Sequence, residues 1–177
     1  MIIAPPLVMK FIFCDDGVFP NNPLLPLLIY QQVFKSDEKA QKIETCLKRN
    51  NWKHAWRNGI YTYHHYHSTA HEVLVALQGQ CKLRVGGPAG ELVEIRKGDV
   101  ILIPAGVAHC NMGCSEDFTC LGAYPDGQEF DVNFGKREER PAADENIQKL
   151  AIPSQDPIYG NEGPLKRFWK VVENDGL

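Results

Sequence analysis

The chain has 177 residues, of which 44% are hydrophobic and 23% charged, a composition typical of a globular protein with one domain. Its 19 Lys and Arg are scattered among 22 Asp and Glu, giving a net charge of −3 and no basic stripe, which argues against a nucleic-acid partner. The longest apolar run, LLPLLIY, is far shorter than the roughly 20 residues of a membrane-spanning helix, so no membrane partner is expected.

The opening segment, MIIAPPLVMKFIF, has Pro5 and Pro6 within its apolar stretch and no basic residue ahead of it. We therefore expect no secretory signal peptide and place the protein in the cytoplasm. In that reducing compartment the cysteines are expected to be six free thiols with a structural role, since no two form a CxxC pair. They are Cys14, Cys46, Cys81, Cys110, Cys114 and Cys120.

An N-terminal arm comes first. Its stretch DDGVFPNNPLLPLL contains Gly17, Pro20, Pro23 and Pro26, and because proline fixes φ and removes a donor, the arm is predicted to be extended with turns.

One amphipathic helix is predicted from Asp37. Ala40, Ile43 and Leu47 recur at helical spacing, acidic residues open the segment, and two basic residues close it beside a pair of asparagines.

From Gly59 onward, short apolar runs alternate with turn residues. CKLRV and LVEI, separated by GGPAG, predict a β-hairpin, and GDVILIPAG and FTCLGAY predict further strands. Regularly spaced short strands of this kind favour an antiparallel sandwich or barrel, so the fold class is mainly β.

We interpret residues 1–177 as a single domain. Residues 1–56 form the arm and helix, residues 57–125 the barrel core, and residues 126–177 a polar, proline-rich tail that packs on the barrel or on a partner subunit.

The segment YHHYHSTAHEV, residues 63–73, holds four of the six histidines. If it were helical, His64, His67 and His71 would lie on one face. The flanking GIYTY and VLVAL favour β structure, however, and a strand is the better interpretation. Because alternate side chains of a strand share a face, His65 and His67 then point the same way.

A metal site follows from this arrangement. Glu72 is expected to open the next strand and bring its carboxylate beside His65 and His67, and His109 follows a turn marked by Pro104. Borderline divalent metals bind neutral imidazole nitrogen and carboxylate oxygen. The predicted ligands are therefore His65, His67, Glu72 and His109.

These segments resemble the two motifs of the cupin superfamily. The family's first motif is a Gly, five residues, His-x-His, three or four residues, a Glu, six residues and a Gly; the second is a Gly, five residues, Pro-x-Gly, two residues, a His, three residues and an Asn. Nine fixed positions match: Gly59, His65, His67, Glu72, Gly79, Gly98, Pro104, Gly106 and His109. The position of the Asn is taken by Gly113, although Asn111 lies nearby on the same predicted strand face as His109.

The resemblance covers roughly residues 57 to 125, and the layout is also similar to uncharacterised bacterial single-domain cupins. It implies a double-stranded β-helix, the small jelly-roll barrel of proteins similar to RmlC, with one divalent transition metal (Mn, Fe, Ni, Zn or Cu) inside one end. It also implies a homodimer.

Other residues are weaker candidates. His64 and His71 are expected to lie away from the ligand face or in the turn, and His54 to be a surface or packing residue. Arg57, Tyr61 and Tyr63 share strand parity with His65, so they could line the cavity. In the alternative, the two tyrosines fill the barrel and Arg57 contacts solvent.

No general acid or base can be named. Tyr63, Arg57 and Glu129 are weak catalytic candidates, and Asp126 and Tyr124 lie near the end of the last core strand.

Four protein ligands leave about two positions open on a metal that prefers six. The leading hypothesis is a metal-dependent enzyme acting on a small oxygen-bearing metabolite, and the resemblance implies a dioxygenase, decarboxylase or isomerase. A binding module or sensor that holds a metal or small molecule without converting it is the alternative. A metal-free barrel with vestigial histidines is a third possibility.

Overall fold

The computed structural model describes residues 7–170. The first six residues of the arm, with Pro5 and Pro6, and the last seven of the tail lie outside the described residues. The strands are β1 (Leu7–Phe13), β2 (Asn22–Gln31), β3 (Trp52–Asn58), β4 (Glu72–Gln78), β5 (Gln80–Val85), β6 (Glu91–Arg96), β7 (Val100–Ile103), β8 (His109–Cys114) and β9 (Thr119–Pro125). The helices are α1 (Ala40–Arg49), α2 (Ala142–Lys149) and α3 (Pro164–Phe168), with a 3-10 turn at Arg137–Glu139.

The strands form two antiparallel sheets. One has six strands in the order β1-β2-β7-β4-β9-β3, and the other has three in the order β6-β5-β8. Neighbours in the larger sheet are mostly distant in sequence, which is the crossing connectivity of a jelly roll. The predicted mainly β, jelly-roll fold is confirmed.

Both faces of the six-stranded sheet are buried at its central strands, and β4 illustrates the consequence. Val73 and Val75 pack in one hydrophobic cluster with α1 and the tail, whereas Leu74 and Ala76 pack in a second cluster with residues of the three-stranded sheet. Since side chains alternate along a strand, Glu72 has the parity of Leu74 and faces the barrel interior.

The arm is extended, as predicted, but it also forms two strands of the sheet. Pairing of β2 with β7 is confined to Leu28, Ile29 and Tyr30, so Pro23 and Pro26 lie outside that ladder. Proline is tolerated there because no ladder hydrogen bond needs its missing N–H.

Several other predicted elements are confirmed. The helix is α1, with Ile43 and Leu47 on its buried face, although it begins at Ala40 rather than Asp37 and has no acidic residue in its first turn. The hairpin is β5–β6, with Val85 opposite Glu91 at its turn. The apolar runs after it are β7 and β9.

The tail contains two helices that the sequence pattern did not predict. Leu165 and Trp169 belong to the hydrophobic cluster that covers the outer face of the six-stranded sheet. The indole N–H of Trp169 donates to the Pro26 carbonyl at 2.8 Å, and the Tyr30 hydroxyl donates to Asp156 Oδ2 at 2.8 Å. Asp156, Leu165 and Trp169 of the tail therefore pack on the barrel.

The prediction of six free thiols is wrong. Cys81 and Cys114 form a disulfide, which the antiparallel register of β5 and β8 explains by placing these two residues opposite each other. The free cysteines within the described residues are Cys14, Cys46, Cys110 and Cys120.

No helix within residues 7–170 combines the length and apolar character needed to cross a membrane.

Candidate metal centre

The histidine segment is not the regular strand that the pattern predicted. His65 and Tyr66 make isolated β-bridges, and the strand before them is β3. Main-chain bonds join Asn111 N–H to Tyr61 O at 2.8 Å and His109 N–H to His65 O at 3.0 Å. The segment from Tyr61 to His65 advances four residues while the paired segment from His109 to Asn111 advances only two. This difference interrupts the β-ladder.

Hydrogen bonds nevertheless hold the segment in place. The N–H of Gly106 donates to the His67 carbonyl at 2.8 Å, and Asn111 donates its side-chain amide to the Ile60 carbonyl at 3.4 Å. His65 and His67 therefore face the barrel interior together, as predicted, although the strand is irregular.

Three buried imidazoles converge at this end of the barrel. One ring nitrogen from each of His65, His67 and His109 lies within 4.8 Å of the others. Each Nδ1 donates to a main-chain carbonyl, which can only accept: His65 to Tyr63 O at 3.1 Å, His109 to Val107 O at 3.1 Å, and His67 to the Asp131 carbonyl. These bonds fix the tautomer, so each Nε2 presents a lone pair.

Glu72 completes the group from the first position of β4. Its Oε2 lies 3.5 Å from His67 Nε2 and 3.4 Å from His109 Nε2, and it has no hydrogen-bond partner although it is buried. In the neutral tautomers set by the Nδ1 bonds, nitrogen lone pairs and a carboxylate oxygen converge on one point. Neutral imidazoles with a carboxylate are a donor set that fits a divalent transition metal.

Electrostatics at the site follow from burial and mutual contact. Burial, reinforced by His109, lowers the pKa of His65 to about 3. Burial acts to raise the pKa of Glu72, but its contacts with His67 and His109 hold that pKa below the usual range. Burial likewise acts to lower the pKa of His67, and the carboxylate of Glu72 outweighs it and raises that pKa. The carboxylate is thus kept ionised, the form that binds a metal.

A loop after β9 supports His67, and sequence reasoning missed it. The side chain of Asp131 accepts hydrogen bonds from the N–H of Ser68 at 2.6 Å and of Thr69 at 3.2 Å. Asn133 donates to the same carboxylate at 2.7 Å. The aspartate carries no motif spacing, so the sequence offered no signal for this role.

A cavity of about 390 Å³ opens beside the four predicted ligands. Buried side chains such as Leu74 form its base, and the exposed His54, Arg57, Tyr61 and Phe130 lie at its mouth. The dimensions match those of small-molecule sites. His54 is exposed, as expected; it lies within β3 with φ 55° and also lines this cavity.

Arg57 and Tyr61 line the cavity, as one of the two alternatives held. Arg57 also makes an exposed ion pair with Glu44 at 3.0 Å. Tyr63 stacks on Tyr61, with ring centroids 4.9 Å apart, and is not part of the cavity wall.

Tyr124 lies in the cavity wall on β9, and its hydroxyl donates to Glu72 Oε1 at 3.1 Å. The other two acidic candidates lie elsewhere. Glu129 is exposed, and Asp126 pairs with Lys53 at 2.8 Å.

The remaining histidines lie outside the cavity lining, as expected. His64 is half-buried, with Nε2 3.5 Å from Cys110 Sγ. His71 is buried, accepts the N–H of Ala105 at 3.0 Å, and has its ring 4.8 Å from that of Trp169.

Comparisons with known proteins place the chain in a family. Residues 55–118 match the family model of the cupin domain. A Bacillus subtilis (strain 168) protein named uncharacterized protein YjlB is 42% identical over 159 residues, which cover 90% of this chain and 94% of that protein.

Several solved structures are also similar. Acireductone dioxygenase from Bacillus anthracis with cadmium ion in the active centre is 15% identical over 68% of this chain and 79% of that chain, with a TM-score of 0.38. The dTDP-6-deoxy-D-glucose-3,5-epimerase RmlC from Legionella pneumophila is 17% identical over 68% and 72% of the two chains, with a TM-score of 0.36. Pumpkin seed globulin is 20% identical, with a TM-score of 0.39, over 55% of this chain and only 28% of the globulin. On the domain model and the Bacillus subtilis relative, the chain belongs to the cupin superfamily.

Proposed function

We propose that this cupin is a metal-dependent enzyme that acts on a small oxygen-bearing metabolite, with His65, His67, Glu72 and His109 as the metal ligands. The observation that carries the proposal is the unpartnered, buried Oε2 of Glu72 facing the Nε2 atoms of His67 and His109. A carboxylate oxygen in that position is costly to bury unless a cation binds it.

The cavity supports an enzyme rather than a structural metal site. A purely structural metal is normally enclosed by protein ligands, whereas these ligands border a cavity of about 390 Å³. A bound divalent metal would supply Lewis acidity and a template for two substrate oxygens. This chemistry accommodates a dioxygenase, a decarboxylase or an isomerase.

The cavity mouth suits a small acid. The Arg57 guanidinium is exposed, and its surface ion pair with Glu44 is worth only about 0–1 kcal/mol, so a substrate carboxylate can compete for it. Phe130, stacked on Tyr124 at 4.5 Å, and Tyr61 provide apolar walls that orient the substrate and exclude water.

A non-catalytic binding module or sensor is the second candidate, and one observation favours it. Among the described residues that line the cavity, Glu72 is the sole carboxylate, so no separate carboxylate is placed to act as acid or base.

The two candidates are distinguished by turnover. Protein loaded with iron(II), manganese(II) or zinc(II) would be tested for binding and conversion of oxo-acids, diketones and catechol-like compounds. Turnover that is lost in Glu72→Gln and His67→Ala supports the enzyme, because the first change removes the charge of a ligand and the second removes an imidazole ligand. Binding without conversion by any metal form favours the binding module.

His64→Gln is the matched control. It changes a histidine next to His65 that lies outside the cavity wall, and the variant should retain wild-type metal content and turnover. Equal metal content in wild type, His65→Ala and His109→Ala would contradict the ligand assignment.

Assembly and location remain proposals. We propose a homodimer that pairs through β1, an outer strand of its sheet with Leu7, Met9 and Ile12 exposed. The Cys81–Cys114 disulfide weighs against the cytoplasmic location expected from the sequence. Sedimentation equilibrium of wild type and Ile12→Lys tests the dimer, which the lysine should dissociate.

A further inference from the structure

The two carboxylate oxygens of Glu72 have different surroundings. Oε1 accepts a hydrogen bond from the Tyr124 hydroxyl at 3.1 Å, whereas Oε2, which faces His67 and His109, has no hydrogen-bond partner. The protein therefore distinguishes the two oxygens before any metal binds.

Trp56 determines the direction of this hydrogen bond. Its indole N–H, which can only donate, gives a hydrogen bond to the Tyr124 hydroxyl oxygen at 3.0 Å. The tyrosine proton is then left to point at Glu72 Oε1.

Gly122 provides the space for this arrangement. It lies opposite Trp56 in the β3–β9 pairing, and a Cβ at residue 122 would overlap the indole ring. Tyr124 follows two residues later on the same face of β9. Trp56, Tyr124 and Glu72 thus form one hydrogen-bonded chain that spans β3, β9 and β4.

We infer that Tyr124, oriented by Trp56, is a positioning residue that restricts Glu72 to one metal-ligating oxygen, an inference that rests on the metal site proposed above. The hydrogen bond to Oε1 favours monodentate over bidentate binding by the carboxylate. A divalent metal held by the four proposed ligands would then have one more coordination position for substrate.

The test compares metal binding in wild type, Tyr124→Phe and Trp56→Phe, using cobalt(II) as the probe. Tyr124→Phe removes the donor and should weaken cobalt(II) binding about 10- to 100-fold in a chelator competition, as is typical when the partner of a metal ligand is lost. Its visible cobalt(II) absorption should also weaken, because a bidentate Glu72 raises the coordination number. Trp56→Phe leaves the tyrosine in place and should have a smaller effect in the same direction.

Tyr30→Phe is the matched control. It also removes a buried tyrosine hydroxyl that donates to a carboxylate, that of Asp156, but it lies outside the metal cavity. It should lower thermal stability and leave cobalt(II) affinity unchanged.

The outcomes separate this inference from the proposed function. If wild type binds cobalt(II) and Tyr124→Phe has the same affinity and spectrum, the positioning role is wrong and the metal site stands. If wild type binds none of cobalt(II), iron(II), manganese(II) or zinc(II), both proposals fail.

Discussion

Asp131 and His67 are joined by a hydrogen bond from the imidazole Nδ1 to the Asp131 main-chain carbonyl, across 64 residues of sequence. The Asp131 carboxylate in turn accepts the N–H groups of Ser68 and Thr69, the two residues that follow this histidine. One residue thus fixes both the tautomer of a proposed ligand and the turn that leads to Glu72. Metal affinity should depend on it even though its carboxylate is not a ligand.

Asp131→Ala keeps the main-chain carbonyl but removes the carboxylate that holds the turn after His67, so it should weaken metal binding about 10-fold or more by loosening the orientation of His67 and Glu72. It should also lower the free energy of unfolding by about 1–3 kcal/mol, because the N–H groups of Ser68 and Thr69 lose their partner. Chelator competition and urea unfolding measure the two effects. The control is Asp126→Ala, which removes an exposed carboxylate paired with Lys53 and should change neither quantity appreciably. Wild-type affinity in Asp131→Ala would contradict the role.

A second prediction concerns the bond between Tyr30 and Asp156, which ties the tail to β2. Besides this hydroxyl, the buried carboxylate accepts the N–H of Ile158 at 2.9 Å and of Leu165 at 3.0 Å. Tyr30→Phe should lower the free energy of unfolding at pH 7 by about 1–3 kcal/mol, because a buried charged acceptor loses a donor.

The effect of Tyr30→Phe should shrink above pH 10. Burial and Asp156 raise the pKa of Tyr30 well above its usual value, so the folded state keeps the proton that the unfolded state releases near pH 10. Wild-type stability therefore falls as pH rises through that range, and the Phe variant lacks this loss. Urea unfolding of both proteins from pH 7 to 11 checks the sign, and a constant difference would exclude it.

The positions of the four proposed metal ligands could be predicted from sequence because they depend on local spacing. His65 and His67 stay on one face although their segment is an irregular turn, since main-chain bonds to Gly106 and His109 replace the missing ladder. The predicted alternation of side chains is therefore correct, although the segment is not a regular strand.

What the sequence did not reveal depends on contacts between distant segments. The carbonyl of Asp131 supports His67, and any residue type supplies a carbonyl, so no side-chain pattern marks it. Trp56 lies over Gly122 only because β3 and β9 pair, and that register cannot be read from either strand alone.

The disulfide is the third subject for prediction. Cys81 and Cys114 are 33 residues apart, and closing a loop of that length stabilises the folded state by about 3–4 kcal/mol in the chain-entropy model. A reductant should lower the urea midpoint of wild type and leave Cys114→Ser unaffected. Cys14→Ser, which removes an exposed free thiol, should respond like wild type. Alkylation of unfolded protein without reductant should modify four thiols; six would contradict the bridge.

The last prediction separates two glycines that both match fixed positions of the cupin motifs. Gly106 has φ +92°, a conformation that side chains other than glycine rarely adopt, and a Cβ there would overlap the carbonyl oxygen of Asn21. The N–H of Gly106 also donates a hydrogen bond to the His67 carbonyl at 2.8 Å, and the turn that contains Gly106 leads to His109. Gly59 has no such φ value, and its Cβ position has open space around it.

Gly106→Ala should cost about 2–4 kcal/mol of stability, because strain at a positive φ adds to a clash with main-chain atoms that cannot move aside freely. It should also weaken metal binding by displacing His109 relative to His67. Gly59→Ala should stay within about 0.5 kcal/mol of wild type, since the added methyl group meets no neighbour. Urea unfolding and cobalt(II) titration of the two variants side by side provide the measurement. Equal losses in both would mean that the motif glycines are required for a reason other than backbone conformation and space.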